Sequence, residues 1–340
     1  MKQNATSTYG EKKLTIDDVA KALGVSKTTV SRSISGKGRI GEVTRNKVLK
    51  YIEEHNYTPN LIAKSLAESK TFNIAVVIPG DYNIVDLPFF QNCLVGISEF
   101  AATLNYDILM CVCYDNDMTQ LERIIDNHKV DGVILSRTTV EAKQEKYLLE
   151  KGVPFVTIGT SLNEKVIQVD NNHVEACKEL TSYLLMKGYR RIGLIGGDES
   201  HIVTKSRFQG FADAHKEFGI PVDRQLVYMN AQSGVVAQKC AMELIQKRSD
   251  VIVCMDDSLC SYLLAIFKKE GIHIPDDVKL ASFYNSMILE NISPAITTLQ
   301  FDIKELGVET CKVLLNCING LPYQQRTLLK YEVILKESTK

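Results

Sequence analysis

Apolar positions along the chain follow two rhythms, and the change falls near residue 72. Between residues 14 and 57 they recur every third or fourth position, a helical period. From Phe72 onward short runs rich in β-branched residues take over: "FNIAVVIP", "YDILMCVC", "DGVILS", "PFVTIG", "RIGLIGG", "QLVYMN", "VIVCMD" and "KLASFY". Between most of them lie amphipathic stretches of helical length, such as 89–104, 117–128, 171–187, 204–219, 233–248 and 257–270. Strands apolar on both faces, alternating with helices, predict parallel sheets covered on both sides. So many βα units over about 265 residues exceed one sheet of usual size. The pattern therefore predicts two similar lobes with a cleft between them, where loops at the carboxyl ends of the strands face a ligand.

The first zone poses a different question. In "LTIDDVAKALGVSKTTVSRSIS", residues 14–35, two short helical patterns flank "LGVS". Thr15 followed by Asp18 resembles a capping box with Asp in place of Glu or Gln. Ile16, Val19, Ala20 and Leu23 fall on one helical face, and Gly24 sits where a helix ends in the left-handed conformation. Val25 plugs the corner and Ser26 caps a second helix running to about Ser33. Val30 and Ile34 point inward, whereas Lys27, Thr28, Ser31 and Arg32 point outward. A third helix, about 42–55, adds Val48 and Ile52 to the same small core. The second helix is thus slim and hydrogen-bonding on its outer face, the form needed to enter a DNA major groove. A generic three-helix bundle with a solvated face is the weaker alternative, because turn, caps and exposed chemistry all agree with the helix-turn-helix. Residues 58–71, "TPNLIAKSLAESKT", follow: Pro59 stops the preceding helix, and Asn60 can cap two turns from Leu61 to Ala67. A helix this short is marginal in water and forms only when held.

Charge supports the division. Residues 1–70 carry 13 Lys/Arg against 7 Asp/Glu, a net of +6, and the remaining 270 carry 27 against 34, a net of −7. A basic segment on an acidic body points to a polyanion partner for the segment alone. No apolar run approaches the roughly 18 residues that span a bilayer. The start, "MKQNATSTYGEKK", lacks an apolar signal core, so residues 1–13 are expected to be a disordered tail and the chain cytoplasmic. The nine cysteines are scattered without a CxxC pair. Cys111 and Cys113 alternate along a predicted strand and share a face, but lack partners at ligand spacing. They read as small buried apolar residues, and no metal or cofactor is expected.

At this point the chain resembles the LacI/GalR family of transcription regulators over about residues 14–336. The resemblance rests on "TIDDVAKALGVSKTTVSRSISGKG" followed by "VTRNKVLKYIEEHNYTPNLIAKSL". It implies an α/β fold: a helix-turn-helix headpiece of three helices over 14–57, a hinge helix within 58–71, and a two-lobed, parallel-sheet core like a periplasmic binding protein over 72–340. Lobe 1 is expected to span about 72–168 and 298–325, and lobe 2 about 169–297 and 326–340. The family implies a homodimer on a near-palindromic operator, with repression the expected outcome, although activation uses the same contacts. Lys27 and Thr28 match the main base-reading pair and Arg32 the second reader. Thr15, Ser26, Thr29 and Ser31 match phosphate-contacting positions. Asn60, Ala63 and Leu66 match the hinge motif that wedges a Leu into the minor groove, and Lys64 stands where Arg or Gln is frequent. In the core, Phe89 and Phe90 of "PFF" match the effector loop, Arg207 of "SRFQGF" the ligand-clamping arginine, and Asp256 the usual Asn of an Asn-Asp pair. "PAITTLQFDIKELG" matches the segment returning to the first lobe. Where the family has "GFDD" this chain has "SFYN" at 282–285, so Tyr284 replaces an Asp that holds sugar hydroxyls. Leu87 replaces an Asn in a longer 79–88 stretch. The expected effector is a sugar or related metabolite, and the substitutions keep open a core that is effector-independent or protein-responsive.

Other functions fit less well. "GLIGGDES" at 193–200 follows a strand but matches neither GxGxxG nor GxxxxGK[ST], and it reads as a tight βα turn. Its "GGDES" shares four residues with a diguanylate cyclase signature in the wrong context. The six His are isolated, and His173 and His201 are the two that could line the cleft. No nucleophile elbow is present, so an enzyme is not expected. A solute-binding protein would explain the core but not the headpiece. The C-terminal "LKYEVILKESTK" ends with the last strand and has no Leu heptad, so a dimer rather than a tetramer is expected.

Overall fold

The computed structural model describes residues 14–36, 38–57, 65, 68–81, 88–231 and 233–340. The readings at the tail, at Asn60, Ala63, Lys64 and Leu66 of the hinge, and at Leu87 lie outside the described residues. The chain divides into two compact units, Met1–Lys70 and Thr71–Lys340.

The first unit contains α1 (Ile16–Leu23), α2 (Lys27–Ser35) and α3 (Glu42–Glu54). Thr15 caps α1 reciprocally: its Oγ1 accepts from Asp18 N at 3.3 Å while its own N–H donates to Asp18 Oδ2 at 2.9 Å. Gly24 ends the helix at φ 66°, where a Cβ would be strained. Val19, Val30 and Val48 are fully buried at the centre, with Ala20 and Tyr57 beside them and Ile16, Leu23, Val25, Ile34 and Ile52 packed around. Enclosing such a valine contributes about 1.5–3 kcal/mol, and a bundle this small has few of them.

The second unit holds two six-stranded sheets. The strands are β1 (Asn73–Pro79), β2 (Asp107–Cys113), β3 (Gly132–Leu135), β4 (Phe155–Ile158), β5 (Ile167–Asn171), β6 (Ile192–Ile195), β7 (Val227–Tyr228), β8 (Val251–Cys254), β9 (Lys279–Ser282), β10 (Thr297–Phe301), β11 (Arg326–Leu329) and β12 (Tyr331–Ile334). The first sheet runs β11-β5-β4-β3-β1-β2 and the second β12-β10-β9-β8-β6-β7. Among the described strands every pairing is parallel except β10 with β12. Within each lobe the first five strands take the doubly wound order 2-1-3-4-5. Each sheet therefore reverses direction between its first and third strands, β1/β3 and β6/β8, the place where such sheets bind ligands beyond the carboxyl ends.

Covering helices include α4 (Pro88–Thr103), α5 (Thr119–Asp126), α6 (Lys143–Lys151), α7 (His173–Met186), α8 (Ile202–Glu217), α9 (Gly234–Gln246), α10 (Asp257–Glu270), the short α11 (Met287–Glu290) and α12 (Ile303–Ile318). In the first lobe α4 meets α12 backbone to backbone: a Cβ on Gly96 would lie 2.1 Å from Lys304 O, and one on Gly307 2.3 Å from Cys93 O. The apolar core continues from Ile74, Ile97 and Val156 through Phe301 and Tyr284 to Val253 and Phe211, linking both lobes.

Three expected lobe boundaries need correction. Residues 169–171 belong to β5, and β11 pairs with β5 through Arg326↔Gln168, so both lie in the first sheet. Conversely β10 pairs with β9 through Thr297↔Ala281 and lies in the second. The chain crosses between lobes after Asn171, at Asp302 and at Lys330. The hydropathy pattern misses the first crossing because Gln168 and Asp170 interrupt β5, yet both side chains are buried and hydrogen-bonded.

Candidate DNA-binding face and interlobe cleft

In the first unit, the side chain of Ser26 caps α2, its Oγ accepting from Thr29 N at 3.0 Å and lying 2.9 Å from Thr29 Oγ1. Ser33 turns inward and donates to Thr29 O at 2.8 Å. With Val30 enclosed on the same side, Lys27, Thr28, Ser31 and Arg32 are left exposed on the other. The hydroxyl of Thr15 donates to Asp18 Oδ2 at 2.6 Å, so the cap already engages this expected phosphate contact. The arm of Arg32 lies along Gly38: a Cβ there would meet Arg32 Cδ at 3.0 Å. One residue of this face escaped the sequence reading. Asp17, in the first turn of α1, holds Lys27 Nζ at 2.6 Å. Its signal, an acid beside a predicted recognition surface, is visible only once the fold sets α1 against the start of α2.

In the second unit the residues expected to contact an effector lie at the carboxyl ends of the sheets. Arg207, in the second turn of α8, donates from Nη1 to Met255 O at 2.7 Å, and its guanidinium carbon stands 5.9 Å from the ring centre of Tyr284. Tyr284 is only 6% exposed. Its ring is stacked with Phe301 at 6.3 Å and edge-on to Phe89 at 6.3 Å. Burial raises the phenol's pKa far above its usual range. Phe90 meets Phe89 edge-on, with ring centres 5.2 Å apart. Asp256 caps α10, Oδ1 accepting from Leu259 N at 2.8 Å, and burial raises its pKa while Arg207 opposes the rise. The fold thus brings Phe89, Arg207 and Tyr284 into contact, with Asp256 in the field of the arginine and Phe90 behind.

Asp170 and Asn171 were not expected in this neighbourhood, whereas His173 is one of the two histidines expected at the cleft. Asp170 accepts from Thr160 Oγ1 at 3.0 Å and Asn171 N at 2.8 Å, and burial pushes its carboxyl up to about 6. His173 Nε2 lies 3.6 Å from Asp170 Oδ1, but burial, aided by Arg207, holds the imidazole well below its usual pKa, so the contact is between a neutral ring and an acid. Buried atoms without a hydrogen-bond partner concentrate here: both amide atoms of Asn171, His173 Nδ1, Arg207 Nε and Asn285 Oδ1. Buried polar atoms ordinarily find partners, and these do not.

The lobes also touch directly. Thr139 and His201 form an isolated antiparallel bridge, with Val140 N donating to Ser200 O at 2.9 Å and Ile202 N to Thr138 O at 3.2 Å. Arg137 reaches across from the end of β3: Nη1 stands 3.2 Å from His201 Nε2, while Nη2 donates to Asp115 Oδ1 at 2.7 Å and Asp81 Oδ2 at 3.3 Å. A separate surface pocket of about 360 Å³ is lined by Tyr189, Arg248, Asp250 and Lys279. It lies at the amino ends of β8 and β9, away from this chemistry. Among the described residues no three His, Cys, Asp or Glu side chains are grouped to hold a metal ion, and no helix is long and apolar enough to cross a membrane. Cys111 and Cys113 are buried side by side, Sγ to Sγ 3.8 Å.

Comparison with known proteins finds matches in both units. Residues 15–60 match the family described as bacterial regulatory proteins, lacI family, and residues 181–339 match a periplasmic binding protein-like domain. The HTH-type transcriptional regulator DegA of Bacillus subtilis is 32% identical over 338 residues, covering 96% of this chain and 98% of that protein. Among solved structures, a lac repressor dimer bound to operator and the anti-inducer ONPF superposes with a TM-score of 0.76 at 19% identity, over 96% of this chain and 99% of the other. A complex of the transcriptional regulator CelR with cellobiose gives 0.72 at 24% identity, over 96% and 100%.

Proposed function

The chain belongs to the LacI family of DNA-binding transcriptional regulators, and from that membership we propose that it is a repressor binding a palindromic operator as a homodimer, gated by a small molecule in the interlobe cleft. The observation that supports this most is the exposed outer face of α2, where Lys27, Thr28, Ser31 and Arg32 stand together on a doubly capped helix. Those side chains suit base edges and phosphates. In this reading Lys27, Thr28 and Arg32 read bases, and Thr15, Ser26, Thr29 and Ser31 position the backbone. Asn60, Ala63, Lys64 and Leu66 serve the minor groove, where an apolar wedge costs a few kcal/mol of unstacking and bends the duplex. The two half-sites follow from a twofold protein, as in the operator-bound lac repressor dimer. Selection of genomic fragments by the full chain, followed by footprinting, tests it: a recovered palindrome supports the reading, and retention that is uniform over sequence and abolished by salt refutes it.

For the cleft, the unpartnered atoms of Asn171, His173, Arg207 and Asn285 support a polar effector, and the CelR complex shows a sugar bound to a protein of this fold. Phe89, Phe90, Arg207, Asp256 and Tyr284 are its proposed contacts. A second reading has its own support: the enclosed ring of Tyr284 already fills the space between Phe89, Phe301 and Arg207, which suits a core that needs no ligand. Thermal shift against sugars, nucleosides and organic acids separates the two, because a ligand at a hundred times its Kd adds roughly 2.7 kcal/mol of stability.

A further inference from the structure

The pair formed by Asp17 and Lys27 is unusual for a surface that approaches a polyanion. The two side chains are 46% and 61% exposed, and an ion pair so open contributes little to stability. Nor is Asp17 needed as a cap, since Asp18 fills that place in α1. A carboxylate here opposes binding to phosphates in general, so its position beside Lys27, the first residue of α2, requires another account. Residues at the start of a recognition helix are those that reach base edges.

Resting on the DNA-binding reading above, we infer that Lys27 and Asp17 act as one unit that reads a single G·C pair in each half-site. In the major groove guanine offers two adjacent acceptors, O6 and N7, and the paired cytosine offers the N4–H donor next to O6. An ammonium and a carboxylate 2.6 Å apart present the complementary order, donors to guanine and an acceptor to cytosine, while keeping their own contact. An A·T pair places its donor between two acceptors, so one of them would face the carboxylate. The acid thus costs affinity for DNA at large and returns discrimination at one base pair, which makes Asp17 a specificity-determining residue.

The test uses the full chain and a library of randomised duplexes, comparing the native protein with Asp17→Ala and Lys27→Ala. The native protein should select a palindrome in which one position of each half-site is G·C by roughly 5- to 150-fold. Both variants should lose most of that preference at this position and keep the others, with unchanged thermal unfolding because both side chains are exposed. The inference is overturned if Asp17→Ala changes affinity equally for all duplexes and leaves the selected sequence intact, or if the two variants relax different positions. If the native protein selects no sequence at all, the DNA-binding reading itself falls. A palindrome selected identically by Asp17→Ala overturns the inference and leaves the DNA-binding reading standing.

Discussion

Single side chains set the chemistry of both faces. Arg32 is exposed, with its arm along Gly38. Arg32→Ala should weaken operator binding by about 1–3 kcal/mol and relax one position of each half-site; unchanged affinity and preference in a quantitative binding assay would place α2 outside the groove. In the cleft, Tyr284→Ala removes a ring enclosed by Phe89, Phe301 and Arg207, and should destabilise the core by about 3 kcal/mol or more, seen as a lower urea midpoint. Asp170 makes the pH prediction. Burial raises its folded pKa to about 6 from the ordinary value of 3.8, so in that window the folded state holds a proton that the unfolded state has released. Its contribution to stability is fully present below pH 3.8 and is lost as pH rises through about 6. Asp170→Asn should flatten the slope of unfolding free energy over that window, and an unaltered slope would assign it to other groups.

At the level of elements, the caps decide whether the small bundle holds its shape. Ser26→Ala removes the acceptor for Thr29 N and should cost about 1 kcal/mol. The loss should appear as faster amide exchange at Thr29 and Val30, with the α3 amides of the full chain affected less. Much of this was legible beforehand: the capping box, Gly24, Ser26 and the inward Val30 are local signals, and local signals need no tertiary knowledge. The eight apolar runs likewise became strands, because a strand buried on both faces has no polar register to hide it. What escaped depends on context. β5 is interrupted by Gln168 and Asp170, polar residues that only their partners Ser161 and Thr160 make compatible with burial. β11 is an edge strand with half its side chains in water, so it lacks a continuous apolar run. The candidate site followed the same rule. Arg207 and Phe89 were found through motif likeness, whereas Asp17, Arg137, Asp170 and Asn171 gain their meaning only from neighbours distant in sequence or on another helix.

For the whole core, the two lobes repeat one topology and meet at their switch points, where Arg137 and His201 join the strap formed by residues 138–140 and 200–202. To accept from the guanidinium, His201 Nε2 must be unprotonated. Burial and the charge of Arg137 lower its pKa, in that order, while Asp198, Asp115 and Asp81 oppose the shift. A lobe arrangement that exposes His201 restores its ordinary affinity for a proton, so acid favours opening. The stability that this contact contributes is fully present above the ordinary value of 6.5 and is lost as pH falls below it toward the lowered one. His173 and His215 are also held neutral by burial, and they add to the acid sensitivity of the fold as a whole. The strap separates the two effects, because the amides of Val140 and Ile202 report on lobe contact rather than global unfolding. Their exchange, corrected for intrinsic rate, should quicken as pH falls from 7 to 5. His201→Gln, which keeps a neutral polar group at the same place, should abolish that dependence, and Arg137→Met should produce fast exchange at every pH. If lobe closure also governs operator affinity, acid and operator must act on the same equilibrium, and operator DNA must alter the apparent pKa of His201 by the free energy with which protonation alters DNA binding. Measuring the imidazole by NMR with and without operator checks this: a shift that matches in sign and size links strap and headpiece, and an identical pKa in both states confines the strap to the core.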